Sequence, residues 1–121
     1  MALRDHQRKT QAAYDADADG WTSRRQLDLA KQLRAESDGL IVDLGCGPGW
    51  HLPLLEPAVG VDLSAEMARL ATDHGVAVQS DLSRLPFARE SIGGVWASRS
   101  LVHFPRTEVP MALAELHRVM K

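Results

Sequence analysis

From about residue 39 onward the chain alternates between short runs of Val, Ile and Leu and longer stretches whose apolar positions fall at helical spacing. Leu40 to Leu44, Ala58 to Val61, Val76 to Gln79 and Ile92 to Ala97 read as strands, and their nearly continuous apolar character predicts burial on both faces. Ser64 is placed as an N-cap, with Glu66 in the first turn and Met67, Leu70 and Ala71 at helical spacing, so a helix is expected from there to near Gly75. A closing helix is expected over Thr107 to Met120, with Met111, Ala112, Leu113, Leu116 and Val119 on its apolar face and Arg118 and Lys121 near its C-terminal end. Ahead of the first strand, Arg24 to Arg34 is amphipathic through Leu27, Leu29, Ala30 and Leu33, and this helix is expected to cover the sheet. Strands alternating with helices in this way define an α/β fold with a parallel sheet and crossover helices.

Composition narrows the class. With 121 residues, 45% apolar and 25% charged, the chain suits one globular domain. Fourteen basic residues against sixteen acidic ones leave a net charge of -2, so nucleic acid is disfavoured as the main partner. No apolar run is long enough to span a bilayer, and the first ten residues lack the apolar core of a signal peptide, so a cytoplasmic location is expected. The single cysteine, Cys46, cannot form an internal disulfide.

Candidate chemistry lies where the first strand ends. Asp43-Leu44 runs into Gly45-Cys46-Gly47-Pro48-Gly49, a turn in which glycines permit positive φ and let a ligand approach backbone N–H groups. Taken alone, such a loop is equally well an ordinary turn. Two further acids change this. Asp62 lies 19 residues after Asp43 at the end of the second strand, and Asp81 lies 19 residues after Asp62 at the end of the third. Ligands of open parallel sheets bind at this edge, and an acid one strand-helix-strand unit after the loop can accept ribose hydroxyls. A dinucleotide site shares these features, but Trp50 occupies the position of its third glycine or alanine, and Asp43 places negative charge where a pyrophosphate would lie.

Taken together, Val42 to Gly49, Gly60-Val61-Asp62-Leu63-Ser64, Ser80-Asp81-Leu82 followed by Leu85-Pro86-Phe87, and Leu116 to Lys121 resemble the ordered motifs of the class I S-adenosylmethionine-dependent methyltransferases. The likeness is to the small-molecule group typified by the ubiquinone and menaquinone biosynthesis enzymes, and it covers about residues 39 to 121. It implies a Rossmann-like open parallel sheet with flanking helices, here truncated after the fourth strand and its following helix. It also implies S-adenosylmethionine as cofactor. Gly45, Gly47 and Gly49 would pack against the methionyl part, and Asp43 would fix its ammonium group. Asp62 would take the ribose hydroxyls, Leu63 would pack on the adenine face, and Asp81 with the Leu82 N–H would meet the adenine edge; Ser98, after the fourth strand, completes the expected cofactor-binding set. Residues 1–38 are expected to form a helical cover or lid, and residues 39–121 the partial cofactor domain.

Other constellations carry less. Asp15, Asp17, Asp19 and Gly20 fit the start of a calcium loop, but Gln26 stands where the bidentate carboxylate is needed. A lid segment or a solvated stretch accounts for them as well. The remaining histidines show no metal-ligand spacing, and no metal is expected. His103 is the one candidate for a general base, set against a structural histidine under the following helix. Ser98-Arg99-Ser100-Leu101 replaces the Asn-Pro-Pro-Tyr type run of enzymes acting on base or amide nitrogens, which disfavours those acceptors. The expected reaction is methyl transfer to an oxygen, carbon or nitrogen of a small molecule, the alternative being a cofactor-binding or interaction module without turnover. An open fourth strand would favour self-association through the sheet edge.

Overall fold

The computed structural model describes residues 21–98 and 104–121. In chain order the elements are α1 (Trp21–Glu36), β1 (Ile41–Leu44), α2 (Leu52–Leu55), β2 (Ala58–Asp62), α3 (Ala65–Ala71), β3 (Val76–Gln79), β4 (Gly94–Trp96) and α4 (Val109–Val119). The four strands form one sheet in the order β3-β2-β1-β4, and every pairing is parallel. The expected α/β architecture is therefore present. Strand order reverses on passing from β2 and β3 to β4, so the topological switch point lies between β1 and β4.

Alternation along the strands sends Ile41, Ala58, Ala77 and Trp96 into one core with Ala30 of α1, Leu52 and Leu55 of α2, and Ala71 of α3. Val42, Leu44, Val61 and Val95 enter a second core on the opposite face, closed by Leu85, Ile92, Leu116 and Val119. Every residue of β1 is buried, which explains its unbroken apolar reading apart from Asp43.

The third strand corrects the expectation that all four are buried. β3 is an edge strand, and Val76 and Val78 are 62% and 37% exposed. They point to the second face, which α4 covers only over the central strands. The fourth strand is also shorter than expected. Ile92 bridges Met120 instead of β1, its N–H donates to Val119 O, and Gly93 N–H donates to Leu40 O. A Cβ on Gly93 would lie 1.6 Å from Asp38 O, so only glycine permits this close approach of the two backbones.

Ser64 caps α3 as expected, its Oγ accepting from Met67 N–H at 3.2 Å. The helix ends at Ala71, and a turn carries the chain to Gly75. In α4, Ala112 and Val119 are buried and Leu116 packs against the second core, whereas Met111 and Leu113 are 63% and 50% exposed. The buried positions follow i, i+4 and i+7 spacing, and Met111 and Leu113 flank that stripe. In α1 the buried stripe is likewise narrow, with Ala30 inside and Leu27 and Leu29 partly exposed.

One side chain fastens α1 to the sheet. Arg34 Nη1 donates to Leu55 O at 2.8 Å and Pro57 O at 3.2 Å, and Nη2 donates to Ser37 O at 2.9 Å and Gly39 O at 2.8 Å. Four carbonyls at the ends of α1 and α2 and ahead of β1 and β2 are thus gathered on one guanidinium. We expect Arg34→Met to lower unfolding stability by about 2 to 4 kcal/mol, less than the sum of four charge-assisted bonds because water reaches some of these carbonyls once the guanidinium is gone. Arg34→Lys should restore less than half, since an ammonium lacks the planar fork. Urea denaturation checks both, and equal midpoints for Arg34→Met and wild type would contradict the assignment.

Candidate functional site

β1 brings Asp43 to the C-terminal edge of the sheet, and the chain leaves through a loop in which Gly45, Gly47 and Gly49 have φ of 69°, 55° and 87°. Two backbone donors, Gly45 N–H and Cys46 N–H, share Val61 O at 2.8 and 2.9 Å and tie the loop to β2. Asp62, the last residue of β2, completes the tie. Its Oδ2 accepts from Gly47 N–H and its Oδ1 from Ser64 N–H, each at 2.9 Å.

Two of the glycines answer different demands. A Cβ on Gly49 would lie 2.8 Å from Ala71 Cα, so only glycine lets the loop pack against α3. A Cβ on Gly47 would meet nothing within 4 Å. There the backbone needs positive φ, and the space beside it is open to a ligand.

Asp43 is 3% exposed, and its Oδ2 has no hydrogen-bond partner. Burial, and after it the negative charge of Asp62, pushes its pKa up to about 7. The neighbouring Cys46 is buried as well. Desolvation and the charges of Asp43 and Asp62 raise its thiol far above the ordinary range, so it is a protonated thiol at neutral pH and no nucleophile. An orphaned carboxylate oxygen beside an open glycine loop is suited to a cationic donor such as an ammonium group.

The structure separates the third acid from the first two. Asp81 lies two residues beyond β3 rather than at its end, and it is exposed. Its Oδ1 accepts from Ser83 N–H at 2.9 Å and Ser83 Oγ at 2.8 Å. These bonds, helped by Arg84, hold its pKa below the usual carboxylate value. Leu63 is 56% exposed at the end of β2, Leu82 is half-buried against the second core, and Ser98 is half-buried two residues past β4. His103 and the stretch from Asp15 to Gly20 lie outside the described residues.

Sequence reasoning overlooked two residues at this edge. Trp96 is the register partner of Asp43 across β1 and β4, and its Nε1 is buried without a hydrogen-bond partner. His51, two residues after Gly49, makes a tilted contact with the Trp96 ring, with centroids 5.3 Å apart and planes at 56°. Burial lowers its pKa, so the ring is neutral at pH 7. Only the strand order, which puts β4 beside β1, discloses this grouping.

A glycine loop after β1, an acid at the end of β2 and a parallel sheet with its switch point beside β1 define a nucleoside-cofactor protein of the Rossmann-like class. Residues 42–121 match the family model described as a methyltransferase domain, and the chain belongs to that family, the class I S-adenosylmethionine-dependent methyltransferases. It is 35% identical over 117 residues to malonyl-[acyl-carrier protein] O-methyltransferase of Herminiimonas arsenicoxydans, covering 91% of this chain and 44% of that protein. It is 36% identical over 92 residues to the protein of the same name from Legionella pneumophila, covering 66% of this chain and 32% of that one. The chain thus spans less than half the length of these curated relatives. A solved structure of a candidate S-adenosyl-L-methionine-dependent methyltransferase from Methanococcus maripaludis shares the fold, with a TM-score of 0.78 at 17% identity over 100% of this chain and 62% of that one.

The environment of Asp43 predicts a pH dependence. Its folded pKa of about 7 lies above the ordinary carboxylate value of 3.8, so between those values the folded protein keeps a proton that the unfolded chain has released. Ligand-free stability should therefore fall as pH rises from about 4 to about 7, with a slope of at most about 1.4 kcal/mol per pH unit from this group, and the slope should vanish above 7. Asp43→Asn should remove that slope and melt higher than wild type at pH 7.5. Melting curves at pH 5, 6 and 7.5 decide it, and an unchanged slope in the variant would remove Asp43 as the cause.

Proposed function

We propose that residues 39–121 bind S-adenosylmethionine at the C-terminal edge of β1 and β2, with residues 1–38 as a cover, and serve methyl transfer to an oxygen, carbon or nitrogen of a small-molecule acceptor. The observation that carries this reading is the orphaned, buried Asp43 carboxylate beside the open Gly47 turn. Bound there, the cofactor supplies an activated sulfonium methyl for in-line displacement.

The chain's own residues hold and shield. Asp43 accepts from the ammonium group, and the glycine loop leaves room for the methionyl chain. Asp62 uses one backbone donor on each oxygen and retains lone pairs for the two ribose hydroxyls. Leu63 offers an apolar face to the adenine ring, and Asp81, with Oδ1 already satisfied by Ser83, keeps Oδ2 for the adenine amino group. The Leu82 N–H would meet the ring nitrogen beside that amine, and Ser98 would complete the cofactor-binding set. Rate enhancement in such a site comes from fixing acceptor, methyl and sulfur in line in a space from which water is excluded, and His103 is the candidate for removing the acceptor's proton.

The relatives' name, malonyl-[acyl-carrier protein] O-methyltransferase, favours oxygen as the methylated atom. The alternative, binding without turnover, is separated from it by experiment. S-adenosylmethionine and S-adenosylhomocysteine titrated calorimetrically should both bind the wild-type chain. Asp62→Ala should weaken binding by about tenfold to a hundredfold, because it removes the ribose acceptors and frees the Gly47 N–H. Failure of the wild type to bind either nucleoside would end this reading. Binding without methyl transfer to malonyl thioesters, phenols, quinones or amines would instead select the module.

A further inference from the structure

Two buried polar groups stand without partners among the described residues, the Asp43 Oδ2 and the Trp96 Nε1. They are paired in register across β1 and β4, so their side chains leave the sheet on the same face, on strands whose axes lie about 4.8 Å apart. One is an acceptor and the other a donor, yet they do not bond to each other. Each leaves an unmet desolvation cost, and two such costs at one register position are rare in a folded core. Their place is the switch point of the sheet, where ligands of this architecture bind.

A ligand that satisfies both must carry a donor for the carboxylate and an acceptor for the indole N–H. An α-amino acid group carries both, as ammonium and carboxylate on one carbon. We propose that Trp96 is a specificity-determining residue for the amino-acid end of the cofactor, its indole N–H donating to the carboxylate while Asp43 accepts from the ammonium. This rests on the S-adenosylmethionine reading above and extends it to a residue in β4. His51 packs against the indole at a tilt, and burial, by disfavouring its charged form, keeps a competing cation away from Asp43. The simpler occupant is one buried water bridging the two groups, which would make Trp96 indifferent to the ligand's carboxylate.

Four ligands and two variants distinguish these. Calorimetric titrations would use S-adenosylhomocysteine, its decarboxylated analogue, its deaminated analogue and 5′-methylthioadenosine, which lacks the whole amino-acid end. Wild type should bind S-adenosylhomocysteine at least about tenfold more tightly than the decarboxylated analogue, the effect of one hydrogen bond to a charged group. Trp96→Phe, which keeps most of the ring volume, should lose that margin while its affinity for the decarboxylated analogue and for 5′-methylthioadenosine stays within about twofold of wild type. Asp43→Asn should show the reciprocal pattern, losing the margin over the deaminated analogue.

Equal losses for all four ligands in Trp96→Phe would make the indole a packing residue only and overturn the proposal. So would a wild type that binds the decarboxylated analogue as tightly as S-adenosylhomocysteine, an outcome that needs no variant to fold. Wild type binding none of the four would instead remove the cofactor reading itself, and this proposal with it.

Discussion

The Asp62 carboxylate joins three pieces of backbone that would otherwise be independent: the end of β2, the glycine loop after β1 and the first turn of α3. Each oxygen accepts one N–H, so neither bond can be given up without exposing a donor that helps to shape the loop. The Val61 carbonyl beside it receives two more loop donors. Through these four bonds the loop is held open before any ligand arrives, with the Gly47 turn facing free space and Gly49 pressed on Ala71. A loop so fixed loses little conformational entropy on binding, which is the physical content of preorganisation.

Preorganisation is set against a standing cost at Asp43. A carboxylate in the dry centre of a parallel sheet, with a second carboxylate nearby and one oxygen unpaired, destabilises the ligand-free fold. Surrounding elements offset it. Arg34 gathers the carbonyls where α1 and α2 end and β1 and β2 are about to begin, and the apolar core of Ile41, Leu52 and Leu55 packs beside the loop. Strain and unmet polarity concentrate at ligand sites because the surrounding structure can hold them there.

How much of this the sequence disclosed depends on the range of the interaction. Local signals were legible: the Ser64 cap, the Gly45 to Gly49 turn, and the alternation of strands and helices all appear where their residue chemistry demands. Asp43 and Asp62 were legible as candidate site residues because each stands at or next to a strand end, which is a matter of spacing along the chain. What depended on the other side of the sheet was not legible. The exposure of Val76 and Val78 follows from where α4 lies over the sheet, and the shortening of β4 goes with the pairing of Ile92 to Met120 instead of to β1. Trp96 read as one more apolar strand residue, since nothing along the chain states that β4 lies beside β1 with the indole at the register of Asp43.

Equal spacing in sequence also concealed a gradient across the sheet. Asp43, Asp62 and Asp81 stand 19 residues apart, but they lie on or near β1, β2 and β3, which run from the centre of the sheet to its edge. Water exclusion falls along that path. Asp43 is buried and its proton is held more tightly than usual, whereas Asp81 is exposed and its proton is released more readily. The three acids therefore cannot be equivalent sites. A carboxylate in low dielectric gains most from a full positive charge, because pairing restores what burial removed. A solvated carboxylate with one oxygen already held gains only what a neutral donor provides. An elongated ligand with a cationic end and a neutral heterocyclic amine matches that gradient in one orientation, with the charged end over β1 and the ring toward β3. On the proposed reading, orientation would thus be set by the unequal burial of the strands, independently of any contact to the middle of the ligand.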